Sequence, residues 1–187
     1  MAKKQSGSNT PSNNLASNGI YVLMDDINTD SCRDVIKWIM NQNLAENRLP
    51  QLTLIINSPG GDVHAAFALI DVMKSSSIPI KTVGLGLIAS CGFLIFIAGK
   101  KGQRILTPNT SILSHQYSWG SRGKEHELYA RVKEFELSTD RMIKHYKKCI
   151  GMSEAKIKEI LLPPQDVWLS AEEAMKLKIC DKIEDLY

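Results

Sequence analysis

Two kinds of apolar pattern alternate along the N-terminal half of this chain, and that alternation limits the folds open to it. Ile20-Tyr21-Val22-Leu23-Met24 has the β-branched and aromatic content of a buried strand, and Asp25, Asp26 and Asn28 end it. From about Asp30 the apolar residues change period: Val35, Ile36, Ile39, Met40 and Leu44 share one face of a helix. Leu52 to Ile56 is a second strand that runs into Asn57-Ser58-Pro59-Gly60-Gly61, after which Ala65, Ala66, Leu69, Ile70 and Met73 mark a second helix. Strand, helix, strand, helix is the signature of an α/β fold with a mainly parallel sheet. In such sheets functional groups gather at the C-terminal ends of the strands.

The next unit is the one most suggestive of chemistry. A buried strand from Ile80 to Val83 leads into a glycine-punctuated segment, Gly84 to Ala89, expected to be a turn, and then into the apolar helical run from Cys91 to Ala98. Ser90 stands at the junction. Gly84 and Gly86 permit backbone angles that a β-carbon resists, and Gly92 allows close approach of the helix's first turn. A serine there has backbone N–H groups beside it that no helical carbonyl satisfies, so an anion forming at its side chain finds donors. The plainer alternative is a helix N-cap.

Further on, Arg104 to Leu106 and Ser111 to Gln116 read as short strands, and Tyr117 to Gly123 as a polar connection. The longest helix, about Lys124 to Ile150, carries Leu128, Val132, Phe135, Met142 and Tyr146 as a stripe, with Thr139 in its one gap. That stripe is expected to be a packing seam, able to meet another subunit. Gly151 stops the helix, Ser153 opens a short one, and Asp166 to Leu169 is extended. Ser170 caps a last helix.

Composition narrows the function. A net charge of +3 without long Lys/Arg blocks gives no support for nucleic-acid binding, and apolar runs such as Phe93 to Ala98 are too short to span a bilayer. Residues 1–19, rich in Ser, Asn, Gly and Lys, are expected to be a disordered or flexible tail without the apolar core of a secretory signal. Residues 20–187 are expected to be one domain. Cys32, Cys91, Cys149 and Cys180 form no Cys-x-x-Cys pair. Free thiols in a reducing, cytoplasm-like compartment are expected, with no zinc site and no metal.

Three features converge on Ser90. The Gly61 amide, with the Cys91 amide, makes a candidate two-donor oxyanion hole, with Gly60 beside it; a simple Pro-Gly-Gly turn is the alternative. His115 ends an apolar strand where an imidazole needs a partner, whereas His64, His126 and His145 are expected to be solvated. Asp166 lies among bulky apolar residues, where a carboxylate needs hydrogen bonds and an imidazole N–H would serve. The order Ser, His, Asp and the Ile88 two places before Ser90 exclude an α/β-hydrolase elbow, though not triad chemistry.

Taken in order, Ile56-Asn57-Ser58-Pro59-Gly60-Gly61, Ala89-Ser90-Cys91-Gly92, Leu106-Thr107-Pro108-Asn109, Ser114-His115-Gln116 and Asp166 to Ala174 resemble the successive signatures of the ClpP family, the proteolytic subunits of the Clp protease. The resemblance covers about residues 20–185. It implies a ClpP/crotonase-like fold of repeated β-β-α units with a protruding handle at about 117–162, and two stacked heptameric rings fed by an AAA+ unfoldase. Within it Ser90 is the nucleophile, His115 the general base and Asp166 its orienting partner, with Gly61 and Cys91 as oxyanion donors. Gly60 and the strand bearing Tyr117, Ser118 and Trp119 would border the substrate groove for unfolded polypeptides. No cofactor is implied; ATP belongs to the unfoldase.

Three departures stand out. Tyr117 and Trp119 intrude where the family usually has Pro and then glycines, and Lys178-Ile179-Cys180-Asp181 replaces a stretch that usually begins with Gly. The tail before Ile20 also lacks the family's axial-loop segment. Beside a serine peptidase, the sequence leaves open a non-catalytic or activator-dependent ring subunit that pairs with an active paralogue, and, more remotely, a crotonase-type acyl-CoA enzyme. A signal-peptide-peptidase relative would need a lysine base and a membrane anchor.

Overall fold

The computed structural model describes residues 15–118 and 120–186; the remainder of the expected flexible tail, and Trp119, lie outside the described residues. The first described element is a 3₁₀ turn, Leu15–Asn18, which precedes Ile20. The Ala16 carbonyl accepts from Trp38 Nε1 at 3.0 Å and Gln42 Nε2 at 3.1 Å, which ties the turn to the first helix.

Strands β1 (Ile20–Met24), β2 (Leu52–Ser58), β3 (Ile80–Ala89) and β4 (Arg104–Leu106) lie side by side in parallel, with β7 (Lys182–Ile183) beyond β4. Helices α1 (Thr29–Leu44) and α2 (Val63–Ser75) make the crossovers, and β2 is buried along most of its length, as a central parallel strand requires. The mixed α/β class is therefore as the sequence implies.

Strand β3 corrects one expectation. Gly84 to Ala89 is strand, not turn, and the glycines serve its bend. Thr82 to Gly84 pair with β4, whereas Leu87 to Ala89 pair with β5 (Ser111–Ser114), so one strand feeds two directions of the sheet. Gly86 takes φ +71° between the two pairings, the angle a β-carbon resists. A β-carbon on Gly84 would lie 2.6 Å from Leu106 Cδ2. Strand β6 (Val167–Leu169) then closes antiparallel on β5, in the register Ser114 with Val167 and Leu113 with Trp168.

The apolar helix α3 (Cys91–Ile97) is buried throughout. Behind it the 26-residue helix α4 (Glu125–Ile150), about 39 Å long, buries only its C-terminal half. Met142, Ile143 and Tyr146 join the core, while Leu128, Tyr129 and Val132 of the other half are exposed. The expected seam is thus two surfaces, one against the body of its own chain. Short helix α5 (Glu154–Lys156), a π-helical turn (Ile157–Leu161) and α6 (Ala171–Lys176), capped by Ser170, complete the chain.

At the far edge Arg104 is buried and pairs with Asp181 at 2.6 Å. Burial raises the Asp181 carboxyl, but the hydrogen bonds from the Arg104 side chain and the amides of Arg104 and Gly102 outweigh it and hold it below the usual carboxylate range. Before it, Lys178 has φ 59°: the position where the resembled family usually has Gly is left-handed here and carries a side chain.

Candidate active site

Ser90 sits where β3 gives way to α3. Its backbone takes φ 52°, ψ −118°, a conformation that costs of order 1–3 kcal/mol in a non-glycine residue and persists only where the surroundings impose it. Those surroundings are visible. The Ser90 N–H donates to the Leu113 carbonyl at 2.8 Å, and its own carbonyl accepts from Phe93 and Leu94 as the first turn of α3. The Ser90 side chain makes no capping bond, so the N-cap alternative does not account for its hydroxyl.

The turn after β2 presses against this junction. Ser58 Oγ donates to the Asp25 carbonyl at 2.6 Å and accepts from the Gly60 N–H at 3.2 Å, which fixes the turn from inside. A β-carbon on Gly60 would lie 2.7 Å from that of Ser90, and one on Gly92 3.1 Å from that of Ser58. The Gly60 carbonyl accepts from Ile27 N–H at 2.8 Å. Because the peptide is trans, the Gly61 N–H points the opposite way, away from Ile27. Neither it nor the Cys91 N–H has an acceptor among the described residues. The Cys91 thiol donates to the Gly61 carbonyl at 3.2 Å. Burial pushes that thiol up to about 11, so it remains protonated at neutral pH and acts as a tie, not a rival nucleophile.

His115 follows β5, the strand beside the end of β3. Its Nδ1 lies 2.6 Å from the Gln116 carbonyl. A carbonyl only accepts, so Nδ1 carries the proton and Nε2 keeps a free lone pair, the tautomer a general base needs. Among the described residues no hydrogen bond joins His115 to Ser90 or to Asp166. Asp166 itself is exposed, immediately before β6, rather than enclosed by apolar neighbours as expected. The β5–β6 pairing ends at Ser114 with Val167, so His115 directly follows and Asp166 directly precedes the same terminal pair.

A cavity of about 50 Å³ unites most of these groups, since Gly61, Ser90, Cys91, His115, Tyr117 and Ser118 all line it. Gly60 backs Ser90 from beneath, and Asp166 does not reach the cavity. The expected groove strand is not present: Tyr117, Ser118 and 120–123 form no strand. Two lining residues were read as seam only. Met142 and Tyr146 of α4 reach the cavity, and Tyr146 is buried with its hydroxyl 3.2 Å from Ser114 Oγ, which donates to the Leu161 carbonyl at 2.6 Å. Burial pushes the Tyr146 phenol far up, so it remains a neutral donor. Their i, i+4 spacing in the stripe was the available signal.

His145 corrects another expectation. It is 6% exposed, and its Nε2–H donates to the Leu94 carbonyl at 2.8 Å. Burial lowers its pKa to about 4, which keeps it neutral. His64 remains partly exposed between Glu134 at 3.2 Å and Arg141 at 3.3 Å.

Set beside known proteins, residues 3–186 match the family model described as Clp protease. The chain belongs to the Clp protease family. It is 32% identical, over 141 residues, to the ATP-dependent Clp protease proteolytic subunit of Deinococcus radiodurans, an alignment covering 75% of this chain and 68% of that relative. As a family member the chain is a serine peptidase, a hydrolase acting on peptide bonds. Among the described residues no helix is long and apolar enough to cross a membrane, and no cluster of three or more His, Cys, Asp or Glu is arranged to hold a metal ion.

Proposed function

We propose that Ser90 is the nucleophile of this peptidase, with His115 as general base and then general acid, and Asp166 as the group that orients and stabilises the imidazolium. Ser90 Oγ attacks the scissile carbonyl while His115 Nε2 takes its proton. The oxyanion of the tetrahedral intermediate is held by the Gly61 and Cys91 amides, and the imidazolium returns the proton to the leaving amine. Water then repeats the sequence on the Ser90 ester. The observation that carries this reading is a strained serine, two amides without acceptors and a histidine of suitable tautomer around one cavity. Asp166 enters when the imidazole rotates from the Gln116 carbonyl towards the carboxylate at the end of the β5–β6 ladder. Gly60, Tyr117 and Ser118 border the substrate.

The substrates are unfolded polypeptides, delivered by an AAA+ unfoldase of Clp type to a chamber formed by stacked heptameric rings of residues 20–187. The exposed apolar half of α4 supports the ring-to-ring contact, and the relative's name supports the ATP-dependent partner. No cofactor is required by the chain itself. Its four free cysteines fit a reducing compartment such as the cytoplasm.

Labelling with a fluorophosphonate tests the assignment. Peptide mapping is expected to find the adduct on Ser90, with slower labelling in His115→Ala and Asp166→Asn; an adduct elsewhere would refute it. The bond from His115 to the Gln116 carbonyl favours one further reading, a subunit that becomes active only with an activator or an active paralogue. Labelling that appears only when such a partner is added would select it.

A further inference from the structure

We propose that Tyr117 sets which side chains the site accepts on the acyl side of the scissile bond. The inference rests on Ser90 being the nucleophile and adds a selectivity that the triad does not dictate. A residue acylated at Ser90 places its own side chain within a few ångströms of that hydroxyl, against Val63, Leu94 and Met142. The cavity there is about 50 Å³. Benzene occupies a protein cavity of about 150 Å³, so a phenyl or similarly bulky group does not fit, whereas a methyl or hydroxymethyl does.

The space is small because of a partition. A second, more apolar cavity of about 320 Å³ lies alongside, bounded by Phe135, Ile143, Leu162 and Pro163, and the two share Gln116, Tyr117 and Met142 as walls. Tyr117 is fixed in that position. Its ring stacks on Phe135 of α4 with centroids 5.6 Å apart and planes at 21°, a favourable aromatic geometry that adds to the area buried. Burial, then Glu134, raises its phenol, so it remains neutral. Without the ring the two cavities merge into one long enough for an aromatic side chain.

The test compares three quenched peptides that differ only in Ala, Leu or Phe on the acyl side of the cleaved bond, with kcat/KM as the readout. The wild-type protein is expected to favour Ala over Phe by about tenfold or more, within the range that pocket size alone supplies. Tyr117→Ala should raise the Phe/Ala ratio at least tenfold, and Tyr117→Phe, which keeps the ring, should leave it unchanged. Met142→Ala, which enlarges the same cavity from the α4 side, should raise the ratio too and serves if Tyr117→Ala does not fold. A wild-type enzyme that cleaves after Phe as readily as after Ala, or a ratio unmoved in Tyr117→Ala, overturns the proposal while leaving Ser90 as nucleophile. Cleavage of the three peptides that persists in Ser90→Ala overturns the nucleophile assignment, and this inference with it.

Discussion

The amide of Ser90 donates to the carbonyl of Leu113 at 2.8 Å, two residues before His115. That bond joins the end of β3 to β5, so the serine and the histidine are positioned by the sheet's own hydrogen-bond ladder rather than by loops. The strain at Ser90 is imposed from the same place: β3 must leave the ladder and start α3 within one residue.

Gly61 should be intolerant of any side chain. A β-carbon there would overlap the Ile27 carbonyl, and φ is 144°. Gly61→Ala is expected to displace the amide and lower kcat by about 10²–10³, the usual consequence of losing one oxyanion donor. KM should change little, and steady-state kinetics beside a thermal melt separate this from misfolding.

His145 should make the protein acid-sensitive. Its pKa is about 4 in the fold against 6.5 when exposed, so the unfolded chain takes up a proton over that interval which the folded protein does not. Stability from this group is therefore intact above about pH 6.5 and falls as pH drops towards 4, by about 3 kcal/mol in total. Phe67, Leu94 and Cys149 surround the ring, and the Lys74 and Lys148 charges also oppose its protonation. His145→Gln keeps a donor for the Leu94 carbonyl without the titration. Urea unfolding at pH 7 and 5 should show a smaller loss for the variant than for the wild type.

Lys178 carries an avoidable strain. A left-handed residue with a β-carbon costs about 1–2 kcal/mol, part of which glycine gives back as greater freedom when unfolded. Lys178→Gly is expected to stabilise the protein by about 0.5–1 kcal/mol, or about 1–4 °C in Tm. An unchanged or lower Tm would mean that the lysine side chain makes compensating contacts.

Much of this architecture was legible because strands β1, β2 and β5 and helices α1, α2 and α4 announce themselves by period, and because Ser90, Gly61, Cys91 and His115 stand at junctions between them. Strand β3 was only half legible: glycines that signal a turn in isolation here serve a bend against Leu106, a tertiary demand no local pattern carries. The burial of His145 was hidden for the same reason, since α4 changes from exposed to buried along its length. Strand β7, two residues long, has no pattern to read. Asp166 was read as enclosed because its sequence neighbours are apolar, but Trp168 is itself 59% exposed, and adjacency in sequence did not become enclosure in space.

The most direct measurement is hydrolysis of a short unstructured fluorogenic peptide by the assembled protein, beside Ser90→Ala of the same assembly state. Turnover by the wild type that disappears in Ser90→Ala is the predicted result. Turnover that survives the substitution would contradict the account at its centre.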